Sequence, residues 1–486
     1  MKQHGKKIME MVMGPTGSVL LHIIIIIALV KLVYFAAAPD EPEVEVVMME
    51  VETVDIEELK EELEELKFEE KLNDLAPPDM SVDMEMPDVA DVPDVSEPME
   101  TDFAELDVVE SVKSPLVMKG LYANRNAGGR KAALGAHGGS QRTEAAVLRA
   151  LEWLKNHQLS DGSWGKNAKG GGNRSQRVGY TGLGLLAFLA HGEMPGSGRY
   201  SKTIEKAIRF LVDGQDDTGG FSAVKTGHEG VYAHGIATYA ISEAYGMTKI
   251  PNLRSAMNRA VERIIEGQQS GGGFDYSYKD EGRRDTGVCG WNIQAMKAAK
   301  VAGCNVSGLQ ASLDKALDDL RSVQSEATGK FSYSQKGAGN DNNTAIAVLC
   351  LQLTGHDESA EAKKGLAALK DSPVIWDLDE SAAWIIYGWY YITQAKFHEG
   401  GGDWKKWNRE FSSALVRNQS EDGSWTSPGR AEGARQTYST TLAALSLQVY
   451  YRHLPSYKKD DKGAQGAASA DDDSDDEDEE SLIEVI

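Results

Sequence analysis

One short phrase recurs along the chain and constrains its fold more than any other feature. A glutamine is followed six or seven residues later by Trp or Phe, across a turn rich in Gly, Asp and Ser. Successive glutamines lie 57, 53, 56 and 95 residues apart, and a degenerate copy ending at Trp376 fills the longest interval. Six units of about 50 residues indicate a repeat architecture. The glutamines are Gln158, Gln215, Gln268, Gln324 and Gln419.

Each unit is predicted to contain two helices. The first, as in "TEAAVLRALEWLKNHQ", has apolar residues at three- and four-residue steps and ends at the glutamine. The second, as in "GYTGLGLLAFLAHG" and "TAIAVLCLQLTG", is apolar nearly all round, which is typical of a buried helix. Six such pairs predict an all-α fold, an α/α toroid with amphipathic outer helices around buried inner helices. The glutamine and aromatic residue of each turn are expected to tie a helix end to its neighbour.

The phrase "ALEWLKNHQLSDGSWG" and its copies resemble the repeats of the squalene and terpenoid cyclase and protein prenyltransferase superfamily, over roughly residues 120–455. The stretch "YGWYYITQAKFHEGGGDWKKWNREF" further resembles large bacterial envelope proteins that carry such repeats. The resemblance implies a toroid with a central ligand cavity. It leaves the function open, because one fold hosts many chemistries.

The cyclase resemblance implies a catalytic acid in an Asp-x-Asp-Asp motif, set in an apolar pocket lined by aromatic rings. The chain has "WDLDE", which supplies Asp377, Asp379 and Glu380 as candidates. The same acids also suit the start of a helix, where negative charge is stabilised.

Positions near the starts of the inner helices are expected to line the cavity. A buried core histidine is the alternative for His234. Asp285 and Cys289 resemble part of a prenyltransferase zinc site, but two ligands do not make a site, so we expect neither metal nor cofactor. Three cysteines without a CxxC pair indicate buried thiols rather than disulfides. The cavity candidates are Tyr180, Thr181, His234, Trp291, Asn343, Trp384, Tyr387 and Tyr438.

Charge is distributed unevenly along the chain. Residues 40–110 hold 28 acidic residues against 3 lysines, whereas residues 111–459 hold 43 basic and 34 acidic residues. We therefore predict a toroid domain at 118–457 between acidic segments. Before it lie an acidic juxtamembrane segment with a short amphipathic, coiled-coil-like helix (39–75) and a disordered Pro- and Asp-rich spacer (76–117); a disordered acidic tail (458–486) follows it.

The segment 19–38 is apolar apart from His22 and Lys31 and is long enough to cross a bilayer. Lysines precede it, so residues 1–18 are expected in the cytoplasm and the rest in the periplasm, as a single-pass inner-membrane protein. Ser18 and His22 lie four residues apart and resemble the helix face with which TonB-family proteins engage a proton-channel complex. A plain anchor is the alternative reading.

Two classes of function follow from these patterns. The first is a membrane-anchored binding or scaffold module that holds a peptide, glycan or lipid and is coupled to the proton-channel complex. The second is an enzyme that uses the cavity, either cyclase-like or prenyltransferase-like, or else a carbohydrate-active enzyme. Nucleic acid is not an expected partner.

Overall fold

The computed structural model describes residues 122–221, 228–376 and 383–452. Within these ranges the chain is helical and forms no β-strand, only isolated bridges. A short 3-10 helix, Ala123–Arg125, comes first. The α-helices are α1 (Ala127–His137), α2 (Gln141–Asn156), α3 (Arg174–His191), α4 (Ser201–Asp213), α5 (His228–Thr248), α6 (Pro251–Glu266), α7 (Thr286–Ala302), α8 (Leu309–Ser322), α9 (Asp341–Leu353), α10 (Ala360–Ala368), α11 (Ile385–Glu399), α12 (Gly401–Arg417), α13 (Gln436–Leu447) and α14 (Val449–Arg452).

The odd-numbered helices α3 to α13 form a closed inner ring, in which each helix contacts the next and α13 contacts α3. They are buried on nearly every side, because their Ala, Gly, Leu and Thr residues allow close packing without exposed charge. The even-numbered helices α2 to α12 form the outer layer and bury one face each. The predicted all-α toroid of six helical pairs is confirmed.

The recurring glutamine joins each turn to the next outer helix, as predicted. Gln158 Nε2 donates to the carbonyl oxygen of Gly162 in its own turn at 2.9 Å and to that of Thr203 in α4 at 2.8 Å. Gln419 Nε2 makes the same two bonds, to Gly423 O and to Ala146 O in α2, both at 2.8 Å. The last repeat is therefore stapled to the first, which closes the ring.

The aromatic residue of each turn is held from the inner layer. The backbone N–H of Trp164 donates to Thr181 Oγ1 at 3.2 Å, and that of Phe221 donates to His234 Nδ1 at 3.3 Å. Three further repeats place an acceptor at the same position because the aromatic N–H is buried and needs a partner. Those acceptors are Cys289, Thr344 and Thr440.

One end of the ring is closed by the chain entering and leaving the domain. Arg125 Nη1 pairs with Glu243 of α5 at 2.6 Å, and Arg125 Nη2 donates to the carbonyl oxygen of Arg452 at 2.7 Å. The guanidinium of Arg452 in turn lies 5.2 Å from the ring centre of Tyr390. Buried charges of this kind are tolerated because each has a partner. The central cavity is therefore accessible from the opposite end.

The predicted segments 1–18, 19–38, 39–75, 76–117 and 458–486 lie outside the described residues, as do Ser18 and His22, so these boundaries stay predictions. In the part of the chain that is described, no helix is long and apolar enough to cross a membrane. The described residues therefore give the expected single-pass inner-membrane and periplasmic localisation no support.

Candidate functional site

A cavity of about 780 Å³ opens at the end of the toroid where all six inner helices begin. Its size is in the range typical of ligand pockets. Every inner helix contributes residues from its N-terminal cap or first two turns, because the six helices run in the same direction around the ring. Aromatic, amide and charged side chains alternate around the wall. The polar and aromatic lining residues are Ser175, Gln176, Tyr180, Glu229, Tyr232, Tyr276, Asp285, Trp291, Tyr333, Asn340, Asn342, Asn343, Trp384, Tyr387, Arg435 and Tyr438.

The structure places most of the expected cavity residues at this pocket: Tyr180, Trp291, Asn343, Trp384, Tyr387 and Tyr438. Thr181 and His234 do not line it and require correction. Both face the outer layer, where they accept the N–H groups of Trp164 and Phe221. His234 is completely buried, and burial lowers the pKa of its imidazole to about 4. Asp377, Asp379 and Glu380 lie outside the described residues.

Asp285 is the most fully enclosed carboxylate of the pocket, with none of its surface exposed. Its Oδ1 caps α7 by accepting the N–H of Val288 at 2.9 Å and also accepts the hydroxyl of Tyr232 at 3.0 Å. Its Oδ2 accepts the hydroxyl of Tyr276 at 2.9 Å, and Tyr276 in turn contacts the hydroxyl of Tyr333. Asp285 therefore anchors a group of tyrosines along one wall.

Glu229 is a second carboxylate on the wall, in the first turn of α5. It accepts hydrogen bonds from the amides of Asn173, at 2.8 Å, and Gln176. Tyr232 lies three residues further along α5, on the same helix face, and its hydroxyl reaches Asp285. The two carboxylates thus stand along one side of the pocket with Tyr232 between them.

The opposite side of the pocket carries an aromatic platform at the rim. Trp384 is 39% exposed, and its ring centre lies 6.2 Å from those of both Tyr387 and Tyr438. The N-terminal turn of α11, which carries Trp384 and Tyr387, is held by Glu432, which is completely buried. Glu432 Oε1 accepts the N–H of Tyr387 at 2.8 Å, so a carboxylate from a neighbouring loop fixes the platform in place.

Two buried hydroxyls at the pocket lack a hydrogen-bond partner among the described residues: those of Tyr180 and Tyr387. Burial raises the pKa of both phenols, so they keep their protons at neutral pH. A buried donor without a partner costs about 1–3 kcal/mol, a cost that a hydroxylated ligand or water would remove. The wall is therefore equipped to bind a polar molecule.

Sequence reasoning missed several polar and aromatic lining residues, which are Gln176, Glu229, Tyr232, Tyr276, Tyr333, Asn340, Asn342 and Arg435. The signal that identified the other lining residues, a position at an inner-helix start, also applies to Gln176, Glu229 and Arg435. Tyr276 and Tyr333 follow the aromatic residue of their turns by two positions and reach the pocket only because the loop folds back. No comparable sequence signal marks them.

No protein-family model and no curated protein matches the sequence. Solved structures do match. The GH76A α-1,6-mannanase from Salegentibacter sp. HEL1_6 has a TM-score of 0.50 and 11% identity, covering 64% of this chain and 98% of that one. A sugar epimerase from a ruminal bacterium follows at a TM-score of 0.47 and 13% identity, covering 63% and 98%. A family 76 glycoside hydrolase (mannosidase) from Bacteroides thetaiotaomicron has a TM-score of 0.43 and 11% identity, covering 64% and 98%. At such identities the likeness establishes the fold, an α/α toroid, and no activity.

These findings contradict the family relationship that the sequence was expected to show. The matching toroid is a mannanase, so the resemblance to squalene cyclases and prenyltransferases is wrong, and the cyclase-like or prenyltransferase-like activity that rested on it loses its basis. The expected binding or scaffold module is corrected as well, because the matching toroid is an enzyme by its name, and no family model supports the TonB resemblance.

Proposed function

We propose that the protein is a glycan-processing enzyme that binds a carbohydrate chain in the toroid pocket and cleaves a glycosidic bond there. The observation that carries this proposal is the combination of two carboxylates on one wall, Glu229 and Asp285, with the exposed aromatic ring of Trp384 on the opposite side. The neighbouring toroids, which are a mannanase, a mannosidase and an epimerase of sugars by their names, are consistent with the proposal.

Each part of the pocket suits a sugar. The C–H face of a pyranose ring packs on an aromatic ring, and Trp384 and Tyr333 present such rings at the rim, 39% and 43% exposed. Sugar hydroxyls need many donors and acceptors, which the amides of Asn340, Asn342 and Asn343 supply at the start of α9.

Glycosidic bond hydrolysis uses a pair of carboxyl groups, one as general acid and the other as base or nucleophile. Glu229 and Asp285 are assigned these roles. The donors around each carboxylate hold its orientation: two amides around Glu229, and two tyrosine hydroxyls with one N–H around Asp285. Fixed orientation is required because catalysis depends on placing the acid and base to within fractions of an ångström.

The test is incubation of the full chain with a panel of neutral and acidic oligosaccharides of defined linkage, followed by measurement of new reducing ends. Glu229→Gln and Asp285→Asn are each expected to lower the rate by at least about a hundredfold, the size of a general acid–base contribution. Both replacements conserve shape, and thermal unfolding of each variant shows whether the fold survives.

The matched control is Glu421→Gln, which removes an exposed carboxylate on a repeat turn that does not line the pocket. Cleavage by the folded Glu229→Gln and Asp285→Asn variants at the wild-type rate would refute the assignment of the pair. Absence of both binding and cleavage across the whole panel would refute the proposed function.

A further inference from the structure

The charged side chains of the pocket differ in how many hydrogen-bond or ion-pair partners they have. Glu229 and Asp285 are each held by several donors, whereas the third charged lining residue, Arg435, forms no ion pair with any carboxylate that the structure describes. Its guanidinium lies 5.4 Å from the ring centre of Trp384, and its side chain is half-buried. A guanidinium has five N–H donors, and a ring face satisfies none of them fully.

A second donor beside Arg435 is also unused. The hydroxyl of Tyr180 is buried, with 5% of the residue exposed, and finds no acceptor for its proton among the described residues, because the neighbouring Arg435 can only donate to it. Burial raises the pKa of Tyr180, and the nearby charge of Arg435 partly opposes this shift. The phenol therefore remains a donor next to a cation, and both line the pocket.

The helix that begins here adds positive potential. Arg435 is the N-cap of α13, and its side chain makes no capping hydrogen bond. By contrast, Asp285 and Asn340 cap α7 and α9 with side-chain oxygens, and Glu432 caps α11. An N-terminus carries roughly half a positive charge, which favours an anion where no acidic cap neutralises it.

We infer that the glycan bound by this pocket is acidic and that Arg435, together with the hydroxyl of Tyr180 and the start of α13, binds the carboxylate of a uronic acid residue. This inference rests on the proposed function and names its substrate class. A planar guanidinium matches a carboxylate with two parallel hydrogen bonds. The two protein carboxylates do not compete, because their oxygens are already occupied by Asn173, Gln176, Tyr232 and Tyr276.

The experiment compares oligosaccharides that differ only in charge. Oligomers of alginate, polygalacturonate and hyaluronan are titrated into the full chain by calorimetry, alongside the same oligomers with their carboxyl groups chemically reduced to alcohols. We expect at least one uronate to bind about 10- to 100-fold more tightly than its reduced form, the effect of one charge-assisted hydrogen-bonded pair.

Arg435→Gln is expected to abolish that difference, Arg435→Lys to retain part of it, and Tyr180→Phe to diminish it. Arg430→Gln, which removes an exposed charge five residues earlier, is the matched control and should leave the difference unchanged. An oligosaccharide whose only charge is a sulfate ester tests whether negative charge alone suffices. If it binds as tightly as the uronate, the assignment to a carboxylate is overturned.

If a uronate and its reduced form bind with equal affinity, and Arg435→Gln does not change that affinity, the inference is overturned but the proposed function stands. Failure of every acidic and neutral oligosaccharide to bind overturns both. Cleavage of neutral glycans only, with no uronate bound, overturns the inference alone.

Discussion

Closure of the toroid by Gln419 can be tested against a matched staple elsewhere in the ring. Gln215 Nε2 donates to Gly219 O at 3.0 Å and to Ala256 O at 2.9 Å, and Arg259 donates to its Oε1. Gln419 makes the corresponding bonds to Gly423 and Ala146, and Arg149 donates to its Oε1. The two glutamines differ in one respect: Gln215 bridges 41 residues of sequence, whereas Gln419 bridges 273.

Replacing either glutamine by alanine removes two neutral hydrogen bonds, while the carbonyl oxygen of Ala256 or Ala146 keeps the backbone N–H of its own helix. At about 0.5–1.5 kcal/mol for each bond, the free energy of unfolding should fall by about 1–3 kcal/mol. The arginine contacts are exposed and add little. In a closed ring that unfolds as one unit, Gln419→Ala and Gln215→Ala should lower stability by the same amount.

The assay is urea unfolding of the full chain at pH 7, followed by circular dichroism for both variants. Hydrogen exchange on α2 and α12 adds a local measurement, since these helices meet at the seam. If Gln215→Ala shows the full loss while Gln419→Ala changes stability by less than about 0.3 kcal/mol, the ring is open in solution and the reasoning fails.

The remaining predictions concern buried ionisable groups. Glu432→Gln sets an amide donor against the N–H groups at the start of α11 and should cost about 1–3 kcal/mol in urea unfolding; an unchanged midpoint would contradict the capping role. Burial disfavours the charged form of His191, but hydrogen bonds to two glutamates outweigh it and raise its pKa. The stability contributed by protonated His191 should be complete below about pH 6.5 and should be lost as the pH rises through the pKa of His191 in the folded protein. His191→Gln should flatten this pH dependence of Tm. Burial lowers the pKa of His234 to about 4, so about 3 kcal/mol of stability should be lost as pH falls from about 6.5 to 4, and His234→Thr, the acceptor found in other repeats, should remove this acid sensitivity.

Two side chains of the proposed enzyme look like catalytic residues but serve as structural hydrogen-bond acceptors for buried N–H groups. His234 and Cys289 are the two most chemically suggestive side chains of the inner helices, yet each occupies the position that threonine fills in other repeats. Burial raises the pKa of the Cys289 thiol to about 12, which leaves it unreactive at neutral pH. Their equivalence to Thr344 and Thr440 becomes visible only when the repeats are superimposed in space.

The sequence alone determined the architecture, because the period of the glutamine and aromatic phrase and the contrast between amphipathic and wholly apolar helices are local properties. It also determined the function of the phrase, since a side-chain amide at a helix end has carbonyl oxygens within reach in any antiparallel pair.

The tertiary structure alone decided which side chains meet. Asp285 on α7, Tyr232 on α5 and Tyr333 before α9 are far apart in sequence, and the pocket that unites them exists because the ring closes with every inner helix starting at the same end. Whether an inner-helix residue faces the cavity or the outer layer depends on helix rotation, and a helix that is buried all round shows no hydrophobic stripe from which to read it. That is why Tyr180 lines the pocket while the adjacent Thr181 holds Trp164 in the opposite direction.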